Sequence, residues 1–142
     1  MNNYRDYYNY ANNNYNQPNY KNILNANIYD PYQGFIRGNM FPDLYNTYKL
    51  NKPVEIMPKN EQAELLTYID ALCFALIDLN LFLDLNPDDE NAIRLYNEYR
   101  KEKDMYMRAY QDKFGPISLD SANLDGSTWK WIKSPWPWEC EY

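Results

Sequence analysis

Carboxylates are the side chains with most chemistry to offer in this sequence. It holds 20 aspartates and glutamates against 14 lysines and arginines, with two cysteines and no histidine. A pair of carboxylates can do general acid–base work when their surroundings push their pKa values apart. The candidates are Asp70 and Asp78, each set inside an apolar run, and Glu61 and Glu64, which share a helical face. Asp70 and Asp78 also have plainer readings. Each faces outward or pairs with a Lys or Arg of the next helix, or else makes a polar contact to a partner. Without histidine the usual proton shuttle near neutral pH is missing, together with the commonest metal ligand and every imidazole triad. Di-metal helical bundles need Glu-x-x-His on facing helices, so that site is closed to this chain. Cys73 and Cys140 lack CxxC spacing, which argues against zinc. Cys73 reads as a small core hydrophobe and Cys140 as a tail thiol, a bridge between them being the alternative. Gly34 and Gly38 are spaced as in some phosphate loops, but the required Lys-Ser/Thr pair is absent. The reading is a protein without catalytic residues, cofactor or metal, and so not an enzyme.

Contact chemistry is the stronger signal. All four tryptophans fall within Trp129-Lys130-Trp131-Ile132-Lys133-Ser134-Pro135-Trp136-Pro137-Trp138. Two prolines exclude helix and interior strand there, so the tail reads as extended. Each tryptophan brings a large apolar surface and one N–H to satisfy. The tail must therefore pack across its own domain or across another protein. Trp129, Trp131, Trp136 and Trp138 are candidate partner-binding residues, joined by Phe74, Phe82, Phe35 and Phe41.

The elements that would carry these residues follow from pattern. Residues 1–32 are Asn- and Tyr-rich with few aliphatics, and cannot offset chain entropy by burial, so they read as a disordered arm. Their polar–aromatic alternation is also the composition of assembly-prone tracts. Residues 33–58 form an irregular leader whose apolar payload is Phe35, Ile36, Met40, Phe41, Leu44 and Tyr45, with one helical turn after Pro42 and a linker through Pro53 and Pro58. The first long helix spans 60–85, with Asn60 as N-cap and Glu61 and Glu64 in its first turn. Leu65, Ile69, Leu72, Leu76, Leu79 and Leu83 recur at three- and four-residue steps. Leu66, Cys73, Phe74, Ile77, Leu81 and Phe82 add further apolar faces, so this helix must be covered on more than one side. The tail, the 33–45 segment or a second protein must supply that cover. Asn86 then caps a second helix from Pro87 to Phe114, ended by Gly115-Pro116. Its inner stripe is Ala92 or Ile93, Tyr96, Tyr99, Tyr106, Tyr110 and Phe114, flanked by Leu95 and Met105. The short junction makes the two helices antiparallel. Their tyrosine hydroxyls need partners, either at the solvent boundary or on the tail's backbone, which predicts the tail lying along the hairpin.

The fold class is all-α: an antiparallel helical hairpin with an extended Trp/Pro-rich tail packed on it and a disordered arm. The divisions are 1–32, 33–58 and 59–142. A net charge of −6 argues against nucleic acid. The N-terminus has no apolar h-region of a signal peptide. No apolar stretch reads as membrane-spanning, because Asp78 and Asn80 cut the run from Leu72 to Leu83. These features predict a cytoplasmic chain, unless assembly carries it elsewhere.

From about Gln62 to Trp138 the sequence resembles the CotJB spore-coat family of endospore-forming bacteria. The matching residues are Leu81-Phe82-Leu83-Asp84, Asn86-Pro87-Asp88-Asp89, Ala92-Ile93, Tyr96-Asn97-Glu98 and Phe114-Gly115-Pro116, closing with Trp129-Lys130-Trp131 and Ser134-Pro135-Trp136-Pro137-Trp138. The stretch from Gly34 to Lys49 is similar to the small companion protein CotJA. The resemblance implies a structural spore-coat component, made in the mother-cell cytoplasm. It also implies partnership with other coat proteins, including one resembling manganese catalase, within a homo- or hetero-oligomer. The alternative is a cytoplasmic helical adaptor for a peptide or protein, unrelated to sporulation. The Asn-Pro-Asp-Asp junction is like that of tetratricopeptide repeats, although only one helix pair is present.

Overall fold

Helix ends are set by which polar groups take the orphan N–H and C=O groups. The computed structural model describes residues 27–43, 53–121 and 124–133. Its helices are α1 (Pro31–Arg37), α2 (Glu61–Leu85) and α3 (Glu90–Phe114), with a 3-10 turn at Lys130–Lys133. The side chain of Asn60 accepts the Ala63 N–H at 2.8 Å, so α2 starts where its cap predicts. A cap of this kind is worth about 1 kcal/mol.

The junction differs from expectation. Asn86 ends α2 and does not begin α3: its N–H bonds the Phe82 carbonyl at 3.0 Å and its side-chain amide bonds the same oxygen at 2.9 Å. The Asp89 N–H then reaches the Asn86 carbonyl at 3.1 Å, closing a turn with Pro87 at its second position. Asp89 takes over as N-cap, accepting from the Asn91 and Ala92 N–H groups at 3.0 and 2.9 Å. Three possible caps follow one another here, and closing the turn leaves only the last in place to cap. α3 ends as expected at Gly115, whose φ of 106° suits glycine.

α2 and α3 pack as the expected antiparallel hairpin. Leu65, Ile69, Leu72, Leu76 and Leu79 of α2 are buried with Ala92, Leu95, Tyr99, Tyr106 and Tyr110 of α3. Leu95 takes the core position expected for Tyr96, which lies half-buried, while Ile93 is exposed. Among the tyrosine hydroxyls, Tyr68 donates to Glu102 at 2.8 Å and Tyr110 accepts from the Gln62 amide at 2.8 Å. Side chains across the hairpin therefore serve both of these hydroxyls. The Tyr68 and Tyr106 rings meet edge-on at 4.4 Å between centroids. Lys113 pairs with Glu61 where the helix ends meet.

The leader is more ordered than a linker, and it closes a second side of α2. Its helix begins at Pro31, inside the stretch assigned to the arm, because Asp30 accepts the Gln33 N–H at 2.9 Å and Pro31 has its φ preset for a helix. It ends in a Schellman arrangement: Asn39 N–H to the Gly34 carbonyl at 3.0 Å, and Gly38 N–H to the Phe35 carbonyl at 3.2 Å. Gly38 has φ 70°. A Cβ on Gly34 would lie 2.2 Å from the Met40 sulfur. The two glycines thus serve a helix stop and a close approach, not a phosphate. Tyr32 ties the next segment down, its hydroxyl accepting the Ile56 N–H at 3.2 Å. The helical turn expected after Pro42 lies, beyond Asp43, outside the described residues.

Candidate docking surface

Each sequence-nominated contact residue has a definite place except Trp136 and Trp138, which lie outside the described residues, as does Cys140. The four phenylalanines meet one another. Phe41 stacks on Phe82 at 4.8 Å, and Phe35 tilts against Phe74 at 6.1 Å. Phe41 is only 2% exposed, so its contacts are spent inside the chain. The 33–45 segment, one of the covers the sequence offers for this helix, supplies two of the rings, and Phe35, Phe74 and Phe82 stay half-buried. The fold makes them each other's partners.

Asp78 has a role the sequence did not suggest. Its Oδ2 accepts the backbone N–H of Met40 at 2.7 Å, in place of an outward face, a Lys or Arg, or a partner contact. Around it the leader satisfies its own backbone: Tyr29 N–H reaches the Met40 carbonyl at 3.0 Å, and the Asn39 side chain accepts the Phe41 N–H at 2.7 Å. A carboxylate in an apolar helix is the acceptor that lets a turn with an unpaired N–H dock there. Asp78→Ala strands that N–H beside a fully buried Met40, at a cost of about 1–3 kcal/mol. Asp78→Asn keeps an acceptor oxygen and should cost less. Urea midpoints of the two variants check the order.

Asp70 is exposed and points elsewhere. Burial of its surroundings nevertheless raises its carboxyl above the ordinary value. The folded chain therefore binds this proton more tightly than the unfolded chain. The group's contribution is present below the ordinary carboxylate pKa of about 3.9 and is lost as pH rises through the folded value. Asp70→Asn should raise the urea midpoint at neutral pH, with the gain vanishing in acid. Burial also pushes the Cys73 thiol up, which Lys103 partly offsets. Among the described residues no group of His, Cys, Asp or Glu is placed to hold a metal.

The exposed apolar surface lies elsewhere. Ile77, Leu81 and Leu85 follow at steps of four on α2 and are 64%, 58% and 84% exposed. In sequence they could not be told from core, since α2 is apolar all round. Their offset from the Leu65–Leu79 stripe was the available signal. By length and composition α2 is apolar enough to cross a membrane, contrary to expectation: an 18-residue window has mean hydropathy 1.7, and 44% of it is buried in the chain. The expectation failed because the helix extends well beyond Leu72–Leu83 on the N-terminal side. In the loop before the tail Ser121 and Leu124 are buried, but in the tail itself Trp129 is 52% exposed and Trp131 only partly covered. The tail is not extended throughout, since its prolines stand beyond the 3-10 turn.

Among the described residues the fold is an all-α hairpin clasped by an aromatic leader, with one side of its first long helix exposed. The CotJB protein family model matches residues 63–139, more than half the chain, and the chain belongs to that family. This makes it a spore-coat-associated protein. The leader at 27–43 precedes the matched residues. No curated protein and no solved structure matches the chain.

Proposed function

We propose that this protein is a non-enzymatic structural component of the spore coat that docks or scaffolds other coat proteins, a manganese-catalase-like protein among them, during assembly. It is made in the mother-cell cytoplasm and carried to the coat by those contacts. The observation that carries the reading is the exposed row Ile77, Leu81 and Leu85 on α2, apolar surface on a core helix that its own chain leaves open. The lack of histidine supports a non-catalytic role. The half-exposed Trp129 adds a second anchor of the type that dominates interface energies.

The test is co-expression of the full chain with coat proteins, the manganese-catalase-like one included, followed by size-exclusion chromatography. A stable co-eluting complex is expected. Elution of the chain alone in every combination would end the docking role.

A further inference from the structure

α2 has three sides. One is closed by α3 and one by the leader. Along the third, steps of three and four run from Leu66 through Asp70, Cys73, Ile77 and Leu81 to Asp84. Leu66 and Cys73 are half-buried, and the other four are exposed. The stripe is apolar at its centre and acidic near both ends, with Asp70 and Asp84 separated by about 21 Å of helical rise. Its spacing is that of a helix-pairing seam. Among the described residues neither Asp70 nor Asp84 is in an ion pair, while Lys103, near Cys73, is paired with Asp104 at 3.3 Å.

Charge decides what covers this face. A second copy laid antiparallel about Ile77 would set each Asp70 against the other copy's Asp84, between chains of net charge −6. Residues 134–142 carry Glu139 and Glu141 and no Lys or Arg, so they meet the same repulsion. Residues 1–26 hold Arg5 and Lys21, but their branched aliphatics, Ile23 and Leu24, lie outside the span between those bases, and Lys49 and Lys52 of residues 44–52 stand three positions apart, too close to reach both acids. An anionic lipid surface is repelled as well. We infer that the face docks a basic amphipathic helix of another protein, with apolar residues at three- and four-residue steps in its middle and Lys or Arg near both ends. This rests on the docking role proposed above and names the chemistry of its partner. The paired helices exclude water from Ile77 and Leu81, while Asp70 and Asp84 fix register at the rim.

The full chain is titrated with a labelled synthetic helix of about three heptads, Leu at the seam and Lys at both ends. Its controls are a twin with Glu for Lys and a scrambled peptide of the same composition. Fluorescence anisotropy should show the Lys peptide binding at least about tenfold tighter than either control. Ile77→Glu with Leu81→Glu should lose that binding, and Asp70→Lys with Asp84→Lys should reverse the preference toward the Glu twin. Circular dichroism checks that each variant is folded. Equal binding of all three peptides, indifference to the Ile77 and Leu81 changes, or no reversal by the charge swap overturns the inference. So does a self-associated species dissolved by Leu81→Glu, or Lys-peptide binding that appears only once residues 1–26 are deleted. Co-elution with a coat protein that survives Ile77→Glu with Leu81→Glu sinks this face alone. The absence of any co-eluting coat protein sinks the docking role itself.

Discussion

Phe41→Ala is expected to release the leader while leaving the hairpin folded. Phe41 is 2% exposed and stacked on Phe82, and truncating a buried phenylalanine costs about 3–5 kcal/mol. Holding the leader in place also costs about 1–2 kcal/mol of backbone entropy per ordered residue, so its net docking energy is a small difference of large terms. A loss of that size exceeds what a short segment with one helix of seven residues can spare. The cost to global stability is then capped, because the leader detaches before the hairpin unfolds. Native-state hydrogen exchange reads this directly. Amides of Gly38, Asn39 and Met40 should lose protection, while those of Leu72 and Leu79 keep most of theirs. Equal loss across α2 and α3 would mean that leader and hairpin form one cooperative unit. Phe41→Leu, which keeps most of the apolar volume, should retain the protection.

The parts of this architecture that were legible in sequence are those decided by neighbours along the chain. Asn60 starts α2 and Gly115 stops α3 because a cap needs only a local hydrogen bond or a permissive φ. The stripe of α2 that faces α3 was legible for the same reason. The shift of the second cap from Asn86 to Asp89 was not, since a side chain able to cap one helix is equally able to end another. Leu95 and Tyr96 both stand three or four positions from Ala92 and Tyr99, so spacing alone could not say which of the two enters the core.

The candidate surface was legible only as a surplus. An all-round apolar α2 said that something beyond α3 must cover it, without saying which residues met which cover. Asp78 and Met40 are 38 positions apart, and their bond joins a side chain to a backbone N–H, a pairing with no composition signature. Once the leader takes Phe74 and Phe82, the apolar residues left over are Ile77, Leu81 and Leu85. Assigning the free face is thus a subtraction that needs the leader's position first.

Leu79→Ala is expected to destabilise the whole hairpin, and its contrast with Leu81→Ala tests that subtraction. Leu79 is fully buried in the cluster that includes Leu72, Leu95 and Tyr99. Removing three heavy atoms there costs about 2–5 kcal/mol, the spread depending on how far the cavity collapses. Domains of this size hold about 5–15 kcal/mol in total, so the variant should lose a large share of its margin and its urea midpoint should fall steeply. Tyr99 is also fully buried, and its rigid ring limits relaxation into the gap, which favours the upper half of that range. Leu81 lies two residues away on the same helix but is 58% exposed. Its truncation should stay within about 0.5 kcal/mol, as surface changes do. Residues with the same chemistry and the same local propensity would then differ several-fold in effect because of the direction they face. If Leu81→Ala matched Leu79→Ala in the isolated chain, the third side of α2 would be core and would have no contact energy left for a partner. If it is silent in the isolated chain but weakens a complex with a coat protein, its apolar surface is held in reserve for assembly.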